Sequence, residues 1–345
     1  MNAPEMNTQW RLAAFPQGEI QPGNFEWVCE PIPVVGGGQI LVRNIYLSLD
    51  PTNRLWASGE ETYLPPLKLG EVMRGITLGI VEDSQHPKFQ PGDIVSGMLG
   101  WQRFAVSDGE GVARLPRAER LPLTTYLGVM GHVGLTAYFG LLEIGRPSPG
   151  ETVLVSAAAG AVGSLVGQIA RLIGCRSVGL AGSAEKCRWI VEDLGFDAAI
   201  NYRREDIVES IGRHCPRGVD IYFDNVGGDT LDAAMGSMNR HGRIIVCGQI
   251  SQYNQQKPHE TFSHMRRFLV NRLRMQAFII SDFLPRAPEA YPVLLQWIKE
   301  QKLTYRFDIV QGLEEAPVAL ARMFAGGNTG KQLVQISAEP SGYLA

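Results

Sequence analysis

The segment Glu151-Thr-Val-Leu-Val-Ser-Ala-Ala-Ala-Gly-Ala-Val-Gly163 constrains this chain more than any other. An apolar run over residues 153–155 enters a turn of small residues, and a helical pattern over 165–173 leaves it. Strand, tight turn and helix in that order build a phosphate cradle. Small residues let the backbone come close to a pyrophosphate, and the uncapped N–H groups and positive end of the helix attract its charge. The glycine fingerprint reads Ala158-x-Gly160-x-x-Gly163, with alanine where the first glycine usually stands. A plain tight turn could carry the same residues; the strand before it and the helix after it make dinucleotide binding the stronger reading.

The surrounding rhythm supports a sheet built around that turn. From about residue 124, strand patterns at 152–156, 177–181, 198–201, 220–224 and 242–247 alternate with helical patterns at 163–174, 184–194, 205–214 and 229–238. Such repetition predicts an α/β fold with a doubly wound parallel sheet. The first 122 residues read differently. Gln39-Ile-Leu-Val-Arg-Asn-Ile-Tyr-Leu47 alternates with the period of a strand, and shorter strands are predicted at 76–82, 94–97 and 101–106. Gly and Pro punctuate them, which fits a partly open β-barrel. After Leu273-Arg-Met-Gln-Ala-Phe-Ile-Ile280 come a helix over 287–301, an amphipathic helix near 313–324 and a strand-like Gln332-Leu-Val-Gln-Ile336 that returns to the first domain. A length of 345 residues is in keeping with two domains.

Composition excludes several classes. With 32 basic and 35 acidic residues the net charge is −3, so no basic field suggests nucleic acid. No apolar run is long enough to span a membrane, and none resembles a secretory leader. The five cysteines, Cys29, Cys175, Cys187, Cys215 and Cys247, include no Cys-x-x-Cys pair. They read as small core residues in a reducing compartment, so the expectation is a cytoplasmic protein with no metal site and no disulfide framework.

The choice of dinucleotide is read after the second strand. Enzymes that use NAD commonly place an acid there for the ribose 2′-hydroxyl. Here Val178-Gly-Leu-Ala181 runs into Gly182-Ser183-Ala-Glu-Lys186, with a hydroxyl and a cation but no acid at the strand end. A carboxylate would repel a 2′-phosphate and Lys186 would attract it, which favours NADPH. Ser183 also suits a helix N-cap, and Lys186 a solvated helix face. Two further motifs end strands: Phe223-Asp-Asn-Val-Gly-Gly228 and Cys247-Gly-Gln-Ile-Ser-Gln-Tyr253. Ligands of open α/β sheets lie outside the carboxyl ends of strands, so both motifs are placed to line the nicotinamide half. The same Asn225, Gly227 and Gly228 would serve any tight turn.

The motifs Ala157-Ala-Ala-Gly-Ala-Val-Gly163, Gly182-Ser-x-x-Lys186, Asn201-Tyr202, Phe223-Asp-Asn-Val-Gly-Gly228, Gly242-Arg-Ile and Ile250-Ser-x-Tyr-Asn254 occur in one order. Together they resemble the zinc-independent medium-chain dehydrogenase/reductases, most closely the NADPH-dependent alkenal/enone double-bond reductases (prostaglandin reductases, leukotriene hydroxydehydrogenases and curcumin reductases). Leu47-Ser-Leu-Asp-Pro51, Gly134-Leu-Thr-Ala-Tyr138, Arg272-Leu-Arg-Met-Gln-Ala-Phe278 and Asn328-Thr-Gly-Lys331 extend the resemblance over nearly the whole chain. It implies a GroES-like catalytic domain from 1–125 with 305–345, enclosing a Rossmann NADPH domain over 126–304, and a homodimer. It implies that Gly160, Ala161, Val162 and Gly163 cradle the pyrophosphate. Ser183, Lys186 and Tyr202 would hold the 2′-phosphate. Asn225, the loop with Cys247, Gly248, Ile250, Ser251 and Tyr253, the run Phe278, Ile279 and Ile280, and Asn328 would surround the ribose and nicotinamide. The Gly-His-Glu motif and four-cysteine lobe of the zinc enzymes are absent from the sequence. In two places the chain departs from the pattern. Asp50-Pro51-Thr52-Asn53-Arg54 replaces an aromatic wall with a hydroxyl and an amide, and His132 stands where a Met-Pro pair is common.

The resemblance implies hydride addition from NADPH to the β-carbon of an enone or enal, a small-molecule substrate. Negative charge then gathers on the carbonyl oxygen, where a donor is needed. Tyr253 is the expected donor, since a phenol ordinarily titrates near about pH 10 and keeps its proton at neutrality. Tyr63, in Glu61-Thr-Tyr-Leu-Pro65, is the second candidate. Tyr253, a cofactor hydroxyl or water could protonate the α-carbon. An NADPH-dependent quinone oxidoreductase and a non-catalytic NADPH-binding redox sensor are the alternative functions.

Overall fold

The computed structural model describes residues 5–116, 121–255 and 263–341. They form two compact units. One comprises the chain up to Leu127, Phe307–Asn328 and the residues from Gln332 on; the other comprises Gly128–Arg306 with Thr329–Lys331.

The second unit is built on six parallel strands: β1 (Thr152–Val155), β2 (Arg176–Ala181), β3 (Ala198–Asn201), β4 (Val219–Asp224), β5 (Met238–Val246) and β6 (Arg274–Ala277). Their order is β3-β2-β1-β4-β5-β6, so the direction of winding reverses between β1 and β4. This is the doubly wound Rossmann sheet, and the reversal opens a crevice at the carboxyl ends of β1 and β4. All four residues of β1 are buried, as expected of a central strand covered on both faces. Leu154, Val178, Leu180, Ile200, Ile211, Tyr222, Leu231 and Ile244 share one core cluster. Four connecting helices follow: α1 (Ala161–Leu172), α2 (Ala184–Glu192), α3 (Ile207–His214) and α4 (Gly228–Gly236). Ser183 and Asp206 cap α2 and α3, accepting from the backbone N–H of Lys186 and Glu209.

Two elements differ from the sequence expectation. Strand β5 begins at Met238, four residues early, and continues through His241 at a φ of 62°. The polar stretch around His259, His264, Arg266 and Arg267 reads as a solvated loop or a rim over the pocket. His259 lies outside the described residues, but Met265–Val270 is a helix. Asp232 anchors its start: it accepts from the His264 backbone N–H at 3.0 Å and lies 3.2 Å from His264 Nδ1.

In the first unit the strand Ile40–Ser48 is central, pairing antiparallel with Thr77–Ser84, Phe104–Ser107 and Lys331–Gln335. Ile94–Gly97 and Ala113–Arg114 extend the sheet on one side and Phe307–Gln311 on the other. The closing strand Lys331–Gln335 is thus part of this sheet. Met6–Leu12 and Phe25–Pro31 form a separate antiparallel pair. Leu12, Phe25, Leu47, Trp56, Met73, Trp101, Leu320 and Val334 fill the core. Trp101, expected to begin a strand, is instead a fully buried peg, and the strand starts at Phe104. No helix among the described residues is long and apolar enough to cross a membrane.

Candidate active site

The turn between β1 and α1 is held by contacts that only small residues allow. Ala157 adopts a φ of 48°, a left-handed conformation that costs an alanine about 1 kcal/mol. A Cβ on Gly163 would lie 2.4 Å from the Ala157 carbonyl oxygen, and one on Gly160 3.1 Å from it. The alanine in place of the first glycine has a partner in space. Ala158 is fully buried, and a Cβ built on Gly179 of β2 would come within 2.7 Å of its methyl. The missing glycine is in effect supplied by the neighbouring strand. Gly160, the N-cap of α1, offers no side-chain cap, so the first-turn N–H groups of Ala161, Val162 and Gly163 suit an anion. Gly330 lies at the same turn, donating to the Ala159 carbonyl at 2.8 Å. Asn328 of the same motif, expected at the ribose and nicotinamide, belongs to the first unit.

At the end of β2 the structure gathers a second set. Ser183 Oγ accepts from the Lys186 N–H at 3.2 Å, so its N-cap role is real. Tyr202 follows β3, and its backbone N–H donates to the Ala181 carbonyl at 3.2 Å. A Cβ on Gly182 would lie 2.8 Å from the Tyr202 hydroxyl, so that glycine is what lets the phenol close in. The Arg203 guanidinium stands 6.0 Å from the Tyr202 ring centroid. Sequence reasoning passed over Arg203, although its place directly after Tyr202 was a signal.

The carboxyl end of β4 carries a network that sequence reasoning also missed. Asp224 is fully buried. Its Oδ1 accepts from Tyr222 Oη (2.8 Å), Ser156 Oγ (3.1 Å) and the N–H groups of Val226 and Gly227 (3.0 Å each), and Oδ2 accepts from Gly227 at 3.1 Å. Burial pushes the Asp224 carboxyl above its ordinary range, with the backbone donors, the phenol and the serine hydroxyl pulling it down. Ser156 Oγ accepts from the Asn225 N–H, and Asn225 Nδ2 donates to the Ser156 carbonyl at 2.7 Å. Asn225 is thus fixed to Ser156 through both its backbone and its side-chain N–H.

The loop after β5 is tied to the same turn. Cys247 and Gly248 donate to the Asp224 carbonyl, Ile250 to that of Asn225, and Ser251, through N–H and Oγ, to that of Val226. The Tyr253 hydroxyl oxygen accepts from the Gln249 N–H at 3.1 Å, which directs its own proton to another acceptor. Burial and the Asp224 charge push the Cys247 thiol up to about 12, so it stays a neutral thiol. Phe278 follows β6 and packs edge-on to Phe283, with ring centroids 6.0 Å apart. A Cβ on Gly140, in the π-helical turn Gly140–Gly145, would lie 2.6 Å from the Phe278 ring. That ring belongs to an aromatic cluster with Phe139 and Phe283, and Ile280 starts the 3-10 helix Ile280–Arg286. His132 begins the helix His132–Phe139.

In the first unit, Tyr63 is half-exposed and its hydroxyl meets Thr52 Oγ1. Its ring lies edge-on to Trp56, and burial pushes its pKa above the ordinary phenol value. Of the two residues that stand in place of the aromatic wall, Asn53 is buried, accepting from the Asp50 N–H at 2.7 Å and donating to the Arg74 carbonyl at 3.1 Å. Arg54 is buried too, its guanidinium donating to the carbonyls of Pro16 and Gly18.

A Rossmann sheet with an uncapped phosphate turn and a hydroxyl–cation set beyond β2 defines a pyridine-dinucleotide oxidoreductase. Comparison with known proteins sharpens the class. Residues 8–115 match the family described as "N-terminal domain of oxidoreductase", and residues 161–300 the one described as "Zinc-binding dehydrogenase". Among the described residues, no group of three or more His, Cys, Asp or Glu is placed to hold a metal ion. The chain is 42% identical over 340 residues to the "NADPH-dependent curcumin reductase" of Escherichia coli, covering 97% of this chain and 98% of that one. It is 41% identical over 306 residues to the "2-alkenal reductase (NADP(+)-dependent)" of Nicotiana tabacum, covering 88% and 89%. The crystal structure of CurA from Vibrio vulnificus in complex with NADPH superposes with a TM-score of 0.91 at 42% identity, covering 96% of this chain and all of that one. The chain belongs to the zinc-independent medium-chain dehydrogenase/reductases, in the branch of NADPH-dependent alkenal and enone double-bond reductases. A Rossmann sheet with a GroES-like β unit is the architecture of that family.

Proposed function

We propose that this protein reduces the C=C bond of α,β-unsaturated ketones or aldehydes with NADPH. NADPH, when bound, supplies the hydride that ends on the β-carbon; the π electrons move to the carbonyl oxygen as an enolate, and a proton completes the α-carbon. Gly160, Ala161, Val162 and Gly163 hold the pyrophosphate, and Ser183, Lys186 and Tyr202 the 2′-phosphate. Asn225, the loop with Cys247, Gly248, Ile250, Ser251 and Tyr253, the run Phe278–Ile280, and Asn328 surround the ribose and nicotinamide. Tyr253 donates to the carbonyl oxygen where charge gathers, with Tyr63 as a second donor. The observation that carries this reading is the Gln249 N–H donating to the Tyr253 hydroxyl oxygen, which fixes a phenol in the loop after β5.

The names of the relatives support both cofactor and substrate class: one is an NADPH-dependent reductase and one a 2-alkenal reductase. Loss of NADPH absorbance with 3-nonen-2-one or 4-hydroxynonenal, but not with benzoquinone, is the expected result. Turnover confined to quinones would overturn the reading, and so would no turnover with any acceptor.

We infer further that residues 1–125 with 305–345 act as the catalytic domain and 126–304 as the nucleotide domain. A homodimer is supported by β6, whose four residues are all exposed at the sheet edge, beside exposed Met265, Leu269 and Val270. Sedimentation of the purified protein as a monomer would remove that inference. Five free thiols suit a cytoplasmic setting.

A further inference from the structure

Asp224 has no part in the chemistry proposed above, yet it lies at its centre. It is the last residue of β4, at the point where winding reverses, directly before Asn225. It is fully buried, and among the described residues the partners of its carboxyl are uncharged: the hydroxyls of Ser156 and Tyr222 and the backbone N–H groups of Val226 and Gly227. The two backbone N–H groups can only donate. Ser156 Oγ accepts from the Asn225 N–H, which turns its own proton toward the carboxyl. Both carboxyl oxygens are therefore acceptors, the pattern of an ionised carboxylate. A buried anion without a cationic partner projects its field on whatever lies next to it, because little solvent screens it. Its backbone carbonyl also fastens Cys247 and Gly248, so the charge sits behind both segments assigned to the nicotinamide half.

A nicotinamide ring carries one more positive charge when oxidised than when reduced. We propose that the Asp224 carboxylate is a built-in counter-charge for that cation, biasing the site toward NADP+ over NADPH and so favouring departure of the hydride. The proposal rests on the reading of this site as an NADP(H) site. With an effective dielectric near 20, one unit charge shifts such a balance about tenfold out to about 12 Å.

The test is equilibrium binding of each nucleotide by calorimetry, with no substrate present. In Asp224→Asn the ratio of the NADP+ to the NADPH dissociation constant is expected to rise about tenfold, equal to about 1.4 kcal/mol. In Tyr222→Phe, which removes a donor but keeps the charge, the ratio is expected to stay within about twofold of the parent even where both affinities shift. A ratio unchanged by Asp224→Asn, or changed as much by Tyr222→Phe, overturns the proposal, since a merely structural residue would weaken both nucleotides alike. Should Asp224→Asn fail to fold, Asp224→Ser, a smaller neutral residue, is read by the same ratio, and a ratio equal to the parent's overturns the proposal. A parent chain that binds neither nucleotide overturns the NADP(H) reading itself, and this proposal with it.

Discussion

Gly179 is the residue whose replacement tests most directly how the phosphate turn is built. Its missing Cβ would fall 2.7 Å from the Ala158 methyl, 2.6 Å from Ile190 Cδ1 and 3.1 Å from Phe196 Cδ1, where carbon atoms settle at about 3.5–4.0 Å. Ile190 can change rotamer. Ala158 has no such freedom, since its N–H donates to the Leu180 carbonyl of β2 at 3.0 Å. Gly179 is itself fixed on both sides, opposite Val155 in β1 and Ala199 in β3. Gly179→Ala therefore overpacks a site that cannot spread, at a cost of about 1–3 kcal/mol. A loss of about 2 kcal/mol in a unit of this size corresponds to a fall in Tm of about 4–8 °C. Urea denaturation should show a lower midpoint at unchanged slope. The decisive measurement is the double variant. Replacing Ala158 with Gly in the same chain removes one of the two colliding methyls, and at least about 1 kcal/mol of the loss should return as a coupling term. If Gly179→Ala costs the same with or without the Ala158 methyl, the collision lies with Ile190 and Phe196. Gly179 would then not be the counterpart of the altered fingerprint.

Three other outcomes follow from the same structure. Tyr253→Phe should lower kcat roughly 10²-fold with little change in the NADPH dissociation constant, as loss of one donor at a developing oxyanion does; an unaltered kcat would reject its assignment. Lys186→Ala should raise KM for NADPH about tenfold or more while barely moving KM for NADH, a charge-assisted contact being worth about 1.5–3 kcal/mol. An unchanged preference between the two would reject that contact. Glu151 receives a bidentate pair from Arg243 at 2.8 and 2.6 Å; burial raises its pKa, but the Arg243 bonds outweigh this and hold it below the ordinary value. A depressed folded pKa adds stability that is present above the unfolded pKa and lost as pH falls through the folded one. The stability gap between the parent and Glu151→Gln should therefore be open at neutral pH and close below about pH 4; a gap independent of pH would show that the pair contributes by packing alone.

What the sequence disclosed divides along a physical line. The order of strands and helices in the second unit was legible because strand and helical patterns alternate along it, and β3 has the bounds expected at 198–201. The position of Ser183 was legible because an N-cap is a local device. Relations set by register were not. That Gly179 faces Ala158 depends on β2 lying beside β1, and nothing in either segment alone announces it. Asn53 could be read as pocket lining only until the fold brought Arg74 to its amide. Arg203 is next to Tyr202 in the chain, but only the fold sets its guanidinium 6.0 Å from the Tyr202 ring centroid.

Asp224 shows why the remainder stayed hidden. Along the chain it is one acid in a turn-rich motif, where Asn225 and the glycines draw attention because their turn chemistry is local. Its donors come from Ser156, sixty-eight residues earlier, and from Tyr222, Val226 and Gly227 around it, while its carbonyl takes up Cys247 and Gly248. No window of sequence contains that set. The switch point of the sheet assembles it, by placing the end of β1 against the end of β4. The same juxtaposition that opens a crevice for a dinucleotide thus encloses a carboxylate behind it. All four donors meet Oδ1, so a neutral side chain of the same shape could accept from them through its one carbonyl oxygen and would lose only the 3.1 Å contact of the Gly227 N–H to Oδ2. The charge is therefore the part of this arrangement that packing alone does not require, and for that reason it is the part most open to a functional explanation.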